Sequence, residues 1–486
     1  MKCFVSAQWG NCFCIRLVRI FILLLLCGCF RKFDKFNTLE DYSDSFDRKQ
    51  KISLAGRKHL TISEARTIAL ANNPTLRAAV NSIRSARYSY YRSMSSWMPE
   101  VTAAWEVANS HSRGYDLLHP PAGIFPSEDR FSTGGTVRAT WLLFDGLARE
   151  LDILTAKLEY ERNVAVADDV KRLLLRAVEY IWCDTLLASE EIIIHRADKE
   201  FQDYALKQAE EQFKAGHISY STVLNFKILS AKAQSRITAA GYNRQTALNT
   251  LAALLGCGNG EVPPEIKLYP LSFSAAELNL PLHFYLQKAI INRPDLKAGK
   301  AVLEKALRQK QAAYAAFMPQ VHLFAGFSFD TASASYGDYP VRRSRYNHPE
   351  FSYGITASWN IFRGFHSFNE LRKRQALEEV ALWGLNKKYL EVTAEVGDAL
   401  DHCRNAVIQI DIFTDMAEYV QEQRDLIYSE YINGRETVAR VNQAQSELVA
   451  AQTALALWKI QYCKAASQLN AAVGTALIRE LSLSER

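Results

Sequence analysis

The chain of 486 residues holds nine Cys and ten His, the side chains that most often act as nucleophiles or metal ligands. Almost none is spaced to work with another. Five Cys lie at positions 3, 12, 14, 27 and 29, and the other four, Cys183, Cys257, Cys403 and Cys463, are far apart with no CxxC. That is neither a disulfide framework nor a zinc site. The four read as buried free thiols, with a Cys183–Cys403 bridge as the alternative in an oxidising compartment. His111, His119 and His348 fall in segments rich in Gly, Pro and Tyr, where a His is more often solvated than a ligand. No HExxH, Walker loop or GxSxG occurs. Gly256-Cys257-Gly258-Asn259-Gly260 is Gly-rich but precedes Pro263-Pro264. It reads as a helix stop, because a phosphate cradle needs a helix that begins there. No catalytic residue, metal or cofactor is expected. The balance of 58 Lys+Arg against 52 Asp+Glu is too even for nucleic acid, which demands a concentrated basic face.

One cysteine does have chemistry in prospect. Lys2, Arg16 and Arg19 precede an apolar run over 20–30, too short for a membrane-spanning helix and suited to the core of a signal peptide. The run contains Leu26-Cys27-Gly28-Cys29, which resembles the bacterial lipobox, in which the last Cys is acylated. The expected organisation is therefore a signal peptide over 1–28, then a tether over 29–59 that begins at a lipidated Cys29. An ordinary secretory signal or an uncleaved anchor is the alternative.

The remaining chain states most things twice. Asn73-Pro74-Thr75-Leu76 returns 220 positions later as Arg293-Pro294-Asp295-Leu296, and Met98-Pro99-Glu100-Val101 as Met318-Pro319-Gln320-Val321. Trp141-Leu142-Leu143-Phe144-Asp145-Gly146 returns as Trp359-Asn360-Ile361-Phe362-Arg363-Gly364, now offset by 218, as are Gly216 and Gly434, and 251–256 and 469–474. Five landmarks in one order define a tandem duplication. Its first repeat covers 60–256 and its second 282–474, joined by a Pro-rich linker over 257–281 and followed by a tail over 475–486.

Each repeat predicts helix, strand, loop, strand, long helix, turn, helix. Strands are expected near 100–107 and 136–143, and again from 321 and over 351–361. In all four the odd positions are apolar, among them Val101, Trp105, Val137, Trp141, Leu323, Phe327, Phe351, Tyr353 and Trp359. Period-2 patterning over about ten residues suits a membrane β-strand with a lipid face and a wet face. A half-buried strand in a soluble sandwich gives the same pattern. Loops are expected over 109–131 and 331–350. The stretches 147–215 and 365–433 contain no Pro, so each permits a helix of ~100 Å. Gly216 and Gly434 follow as left-handed caps that turn the chain back. After the second turn Val441, Ala444, Leu448, Ala451, Leu455, Trp458, Tyr462, Ala465 and Leu469 step by three and four, which is coiled-coil packing. The fold class is thus mainly α, with long tandem α-hairpins and four transmembrane β-strands per chain. Four strands cannot close a barrel, and an open edge in lipid leaves backbone groups unsatisfied. Further copies of the chain are required.

These pieces together resemble the TolC-like outer-membrane efflux family over about 60–475. The carriers are Leu60-Thr61-Ile62-Ser63-Glu64-Ala65 with Asn73-Pro74, the Met-Pro strand starts, the two Trp-to-Gly hexapeptides and the two turn glycines. The resemblance implies a homotrimer whose three chains build a 12-stranded barrel over a helical tunnel. It also implies a passive exit duct for a tripartite system, with a periplasmic adaptor and an inner-membrane transporter as partners. Gly216 and Gly434 would form the periplasmic tip that meets the adaptor. Trp105, Trp141 and Trp359 would mark the outer-membrane lipid interface. Some members carry an acidic gate ring just beyond the second tip; here Arg440 and Gln443 stand there, with Thr222 and Asn225 in the first repeat. Arg440 then either forms a ring that disfavours cations, or lies on a solvated face or pairs with Glu436 on its own helix. A lipid-anchored periplasmic coiled-coil scaffold or adaptor is the alternative function. A stand-alone diffusion porin has no use for such helices.

Overall fold

The computed structural model describes residues 59–112, 128–258, 260–262, 267–268, 280–336 and 344–474. The expected signal peptide, Cys29, most of the tether, most of the linker and the tail lie outside them. The first repeat runs β1 (His59–Leu60), α1 (Ile62–Asn72), α2 (Pro74–Met94), β2 (Glu100–Ser112), β3 (Glu128–Phe144), α3 (Ala148–Lys214) and α4 (Tyr220–Leu255). The second follows as β4 (Lys267–Leu268), α5 (Leu282–Asn292), α6 (Pro294–Ala313), β5 (Gln320–Tyr336), β6 (Ser344–Ser358), α7 (His366–Ile432) and α8 (Val438–Val473). A 3-10 turn leads into each of β2 and β5, at Ser95–Trp97 and Tyr314–Phe317.

The long helices form where nothing interrupts them. α3 and α7 each hold 67 residues, or ~100 Å. The first expected helix is divided, because a Pro disfavours the α conformation in the residue before it. Asn73 accordingly sits at φ −58°, ψ 125° between α1 and α2. α1 opens on a capping box, in which Thr61 Oγ1 accepts from Glu64 N at 3.3 Å and Thr61 N donates to the Glu64 carboxylate at 2.9 Å.

In cross-section, α2 and α4 both pack on α3, α6 lies between α3 and α7, and α8 does so further along. The three- and four-residue steps of α8 face that packing: seven of its nine positions are buried, and Leu455 and Trp458 are half-buried. In α4 the hydroxyl of Ser230 hydrogen-bonds to Asp203 of α3. Two apolar cores occupy corresponding places, one around Trp182, Ile68 and Leu251, the other around Leu400, Tyr285 and Leu469.

The strands form one antiparallel sheet in the order β2-β3-β5-β6. They are longer than expected, at 13, 17, 17 and 15 residues. Much of the anticipated loops is therefore strand, and only 113–127 and 337–343 remain between paired strands, outside the described residues. Continued backbone pairing carries each hairpin on into segments whose Gly, Pro, Tyr, Arg and His suggest a loop. At the other end β6 stops at Ser358, so the alternation through Trp359 and Ile361 is not strand. β3 instead continues to Phe144 across an irregularity at Leu142/Phe144.

Candidate functional site

Strand register decides which face each side chain takes. Odd positions pair with odd positions up to the irregularity at Leu142/Phe144: Val101 with Ala139, Trp141 with Leu323, Val137 with Phe327, Leu323 with Ile355, and Phe327 with Phe351. The sheet therefore has one continuous apolar face, with Val101, Trp105, Tyr353 and Ile355 all exposed on it. The opposite face pairs Glu100 with Thr140, Thr102 with Arg138 and Thr356 with His322. Phe324 is an apolar residue on that face, covered by Arg138 at 5.2 Å from its ring centroid.

The three predicted tryptophans do different things. Trp105 meets Phe329 edge-on at 5.2 Å across Gly135, the residue that both of them pair with. A Cβ at Gly135 would lie 2.7 Å from Phe329 and 3.1 Å from Trp105. Trp141 donates Nε1–H to the Trp97 carbonyl at 2.9 Å, and Trp359 donates to the Phe317 carbonyl at 3.1 Å. Trp97 and Phe317 are themselves 220 positions apart. Both indoles thus latch a strand end to the turn that starts the neighbouring strand, although Trp359 lies one residue beyond its strand.

Sequence reading missed Arg149. It is almost fully buried, bonds the Leu142 carbonyl at 2.7 Å and lies 3.6 Å from the centroid of the Trp97 ring. It fixes the passage from β3 into α3, where Leu147 takes φ 68°; Phe365 takes φ 62° at the matching passage in the second repeat. The residue at the matching position there is Ser367, so no repeat signal marked Arg149.

The Asn73-Pro74 and Arg293-Pro294 motifs meet the ends of the returning helices. Asn73 Nδ2 donates to the Leu254 carbonyl at 3.1 Å, and Arg293 Nη1 donates to the Ala472 carbonyl at 3.0 Å. Those acceptors are 218 apart, so unlike side chains make one joint. Gly256 and Gly474 close it, because an added Cβ would sit 3.1 Å from Asn72 O and 3.2 Å from Arg293 N. Arg293 also holds Asp295 and Glu395 at 2.7 Å each. Burial pushes the Asp295 carboxyl up, but the Arg293 guanidinium outweighs it and holds the group below its ordinary range.

At the far end, Gly216 and Gly434 take φ 81° and 72°. Each closes a Schellman turn, with His217 N bonding Gln212 O at 3.0 Å and Arg435 N bonding Glu430 O at 2.9 Å. Near these turns Thr222 and Asn225 are half-buried, while Arg440 and Gln443 lie one turn apart on α8. Arg440 reaches Gln443 Oε1 at 3.5 Å, and Gln443 in turn donates to Glu447 at 2.9 Å. The alternative pairing with Glu436 is not made; that carboxylate accepts from Thr437 N instead.

Just behind the tips the two hairpins are tied together. Buried Asp198 of α3 accepts from Gln445 of α8 at 3.0 Å and from Gln202 at 3.3 Å, with Arg236 of α4 at 3.7 Å. Phe201 packs edge-on against Tyr428 at 5.1 Å, and Arg424 stacks on Phe201 at 5.0 Å. Nothing in the repeat pattern pointed to these cross-hairpin pairs. Cys183 and Cys403 are free and buried, so they are not bridged. The thiol hydrogen-bonded to Cys183 belongs to Cys463. Among the described residues no group of His, Cys, Asp and Glu could hold a metal ion. No described helix is long and apolar enough to cross a membrane.

Long antiparallel helical hairpins that carry an open sheet with a single apolar face define a class: channel proteins of the outer membrane. The transmembrane channel protein CusC shares the fold at a TM-score of 0.71 and 19% identity, over 85% of this chain and 92% of CusC. The outer membrane protein VceC from Vibrio cholerae does so at 0.70 and 17%, over 85% and 96%. The pyoverdine export outer membrane protein OpmQ from Pseudomonas aeruginosa is 24% identical over 416 residues, spanning 84% of this chain and 83% of OpmQ. The sequence model of the outer membrane efflux protein family matches residues 66–257 and 285–475. The chain belongs to that family.

Proposed function

We propose that three copies of this chain form a passive outer-membrane exit duct, docked at its periplasmic tip on an adaptor and, through it, on an inner-membrane transporter. The observation that carries the reading is that the second repeat lacks the neighbour the first one has. β3 pairs with β5, and α3 packs on α6 and α8, so the first repeat contacts the second within the chain. By the duplication, β6 should pair with β2 of the next copy, and α7 should pack on that copy's α2 and α4. The exposed surfaces agree. α3 has 14 buried residues and α7 only eight, and α7 leaves Val380, Trp383, Leu390 and Tyr419 bare. Tyr88, Tyr91 and Tyr242 are bare on α2 and α4. Such a head-to-tail contact either closes into a ring or grows without limit. Three chains give twelve strands and no edge exposed to lipid. A scaffold or adaptor would have no use for the apolar sheet face.

In this reading Gly216 and Gly434 shape the adaptor-facing turns, and Arg440 and Gln443, with Thr222 and Asn225 behind the other turn, line the entrance. Cys29 supplies a lipid anchor in the outer membrane, and the energy comes from the transporter. The detergent-solubilised protein is expected to have three times the protomer mass by light scattering. A monomer with intact helical circular dichroism would overturn the assembly.

A further inference from the structure

A cavity of about 380 Å³ opens where the first repeat meets the second, between α1, α3, the junction of α5 with α6, and the end of α8. Five of its lining residues are basic, Arg66, Lys171, Arg172, Arg176 and Lys297, against only Asp168 and Glu179. Three of the basic groups are occupied: Arg66 by Glu179 at 2.5 Å, Arg172 by Asp169 at 2.7 Å, and Arg176 by Gln468 at 3.0 Å and Glu395 at 3.5 Å. Lys171 and Lys297 are exposed and make no ion pair. Two buried donors in the lining also lack a partner, Arg66 Nε and the hydroxyl of Ser467, whose residue is only 5% exposed. A buried unpaired hydroxyl is costly, and here it borders a cavity with an excess of positive charge.

The matching surface of the other repeat has lost this character. Arg66, Lys171, Arg172 and Arg176 correspond there to Leu286, Tyr389, Leu390 and Ala394, and only Lys297 keeps a basic counterpart, Arg77. Basic side chains are thus not a requirement of the joint itself. From these observations we propose that the cavity binds a multivalent oxyanion of the phosphate class. Lys171 and Lys297 would supply charge, and Arg66 Nε and Ser467 Oγ would donate directed hydrogen bonds. The source is a soluble ligand. Residues 168–179 lie ~30 Å or more along α3 from the strand ends, beyond the reach of a bilayer headgroup.

The test is calorimetric titration of the solubilised full chain with inorganic phosphate, with chloride at matched ionic strength as the control. Saturable phosphate binding is expected, weakened at least about tenfold in the double variant Lys171→Gln/Lys297→Gln, since charge-assisted hydrogen bonds are being removed. Both lysines are exposed and unpaired, so the variant should keep the parent's melting temperature in phosphate-free buffer. Ser467→Ala provides a second reading, with weaker phosphate binding and unchanged assembly. An equal response to chloride, no saturable phosphate binding, or undiminished binding in both variants would overturn the site.

Discussion

Asn73 and Arg293 occupy one position of the repeat and make one kind of bond, but their removal should cost different amounts. Asn73 caps α2 through Thr75 N and Leu76 N at 2.9 and 3.2 Å, so Asn73→Ala should destabilise by ~1 kcal/mol. Arg293→Ala would leave Asp295 without its cation, while Glu395 keeps Arg176 and Gln468, and breaking a buried pair costs ~3–5 kcal/mol. Chemical denaturation of both variants checks the ranking. At the thiols, burial pushes Cys403 up to about 12, and the hydrogen bond with Cys463, together with burial, raises Cys183. Neither should alkylate in the native protein at neutral pH, as mass spectrometry after iodoacetamide treatment would show. Gly135→Ala should disturb the Trp105–Phe329 contact, lowering the melting temperature and shifting the Trp fluorescence. The residue pattern announced the Pro motifs and the apolar strand face. It could not announce Arg149 or Asp198, because each works through one long-range contact that leaves no periodicity.

Between elements the decisive links are polar. Lys305 of α6 bonds Glu159 of α3 at 2.8 Å, and Arg162 does so from the same helix at 2.7 Å. Burial alone would raise the Glu159 carboxyl, but these two cations lower it to about 2. A depressed carboxylate stabilises the fold fully above its unfolded pKa, near 4.5, and loses that effect as pH falls towards 2. Lys305→Ala should therefore lower the melting temperature at neutral pH, by an amount worth no more than ~1 kcal/mol for so exposed a pair. The gap from the parent should narrow in acid. Further along, Asp198 ties α3 to α4 and α8, so Asp198→Ala is expected to loosen the hairpins near their tips. Faster amide exchange around 198–216 and 434–445, with the sheet unaffected, is the outcome to look for. Helix existence and length were legible because unbroken stretches without Pro are local facts. Strand ends were not, since a strand stops where its neighbour stops.

At the scale of the whole molecule, the entrance chemistry follows from assembly. In the proposed trimer Arg440 would appear three times around one axis, and like charges so arranged disfavour cations. Planar-bilayer recordings of Arg440→Ala should show increased cation preference; unchanged selectivity would leave Arg440 as a surface residue bonded to Gln443. Conductance then reports on the ring, whereas the assembly itself is read by mass.

The sequence by itself determined the duplication, the long hairpins, the turning glycines and the sidedness of the strands. All of these are encoded within a few residues or by comparing one half of the chain with the other. Only the tertiary structure decided which helices share a contact, that the strands run in the order β2-β3-β5-β6, and that α3 is covered by the other repeat while α7 is left barer. It also placed the basic cavity, whose cations come from segments more than two hundred residues apart. The physical reason is range. Periodicity and caps are enforced by neighbours along the chain, whereas charge pairing and cavities belong to residues that become neighbours only when the repeats close on each other.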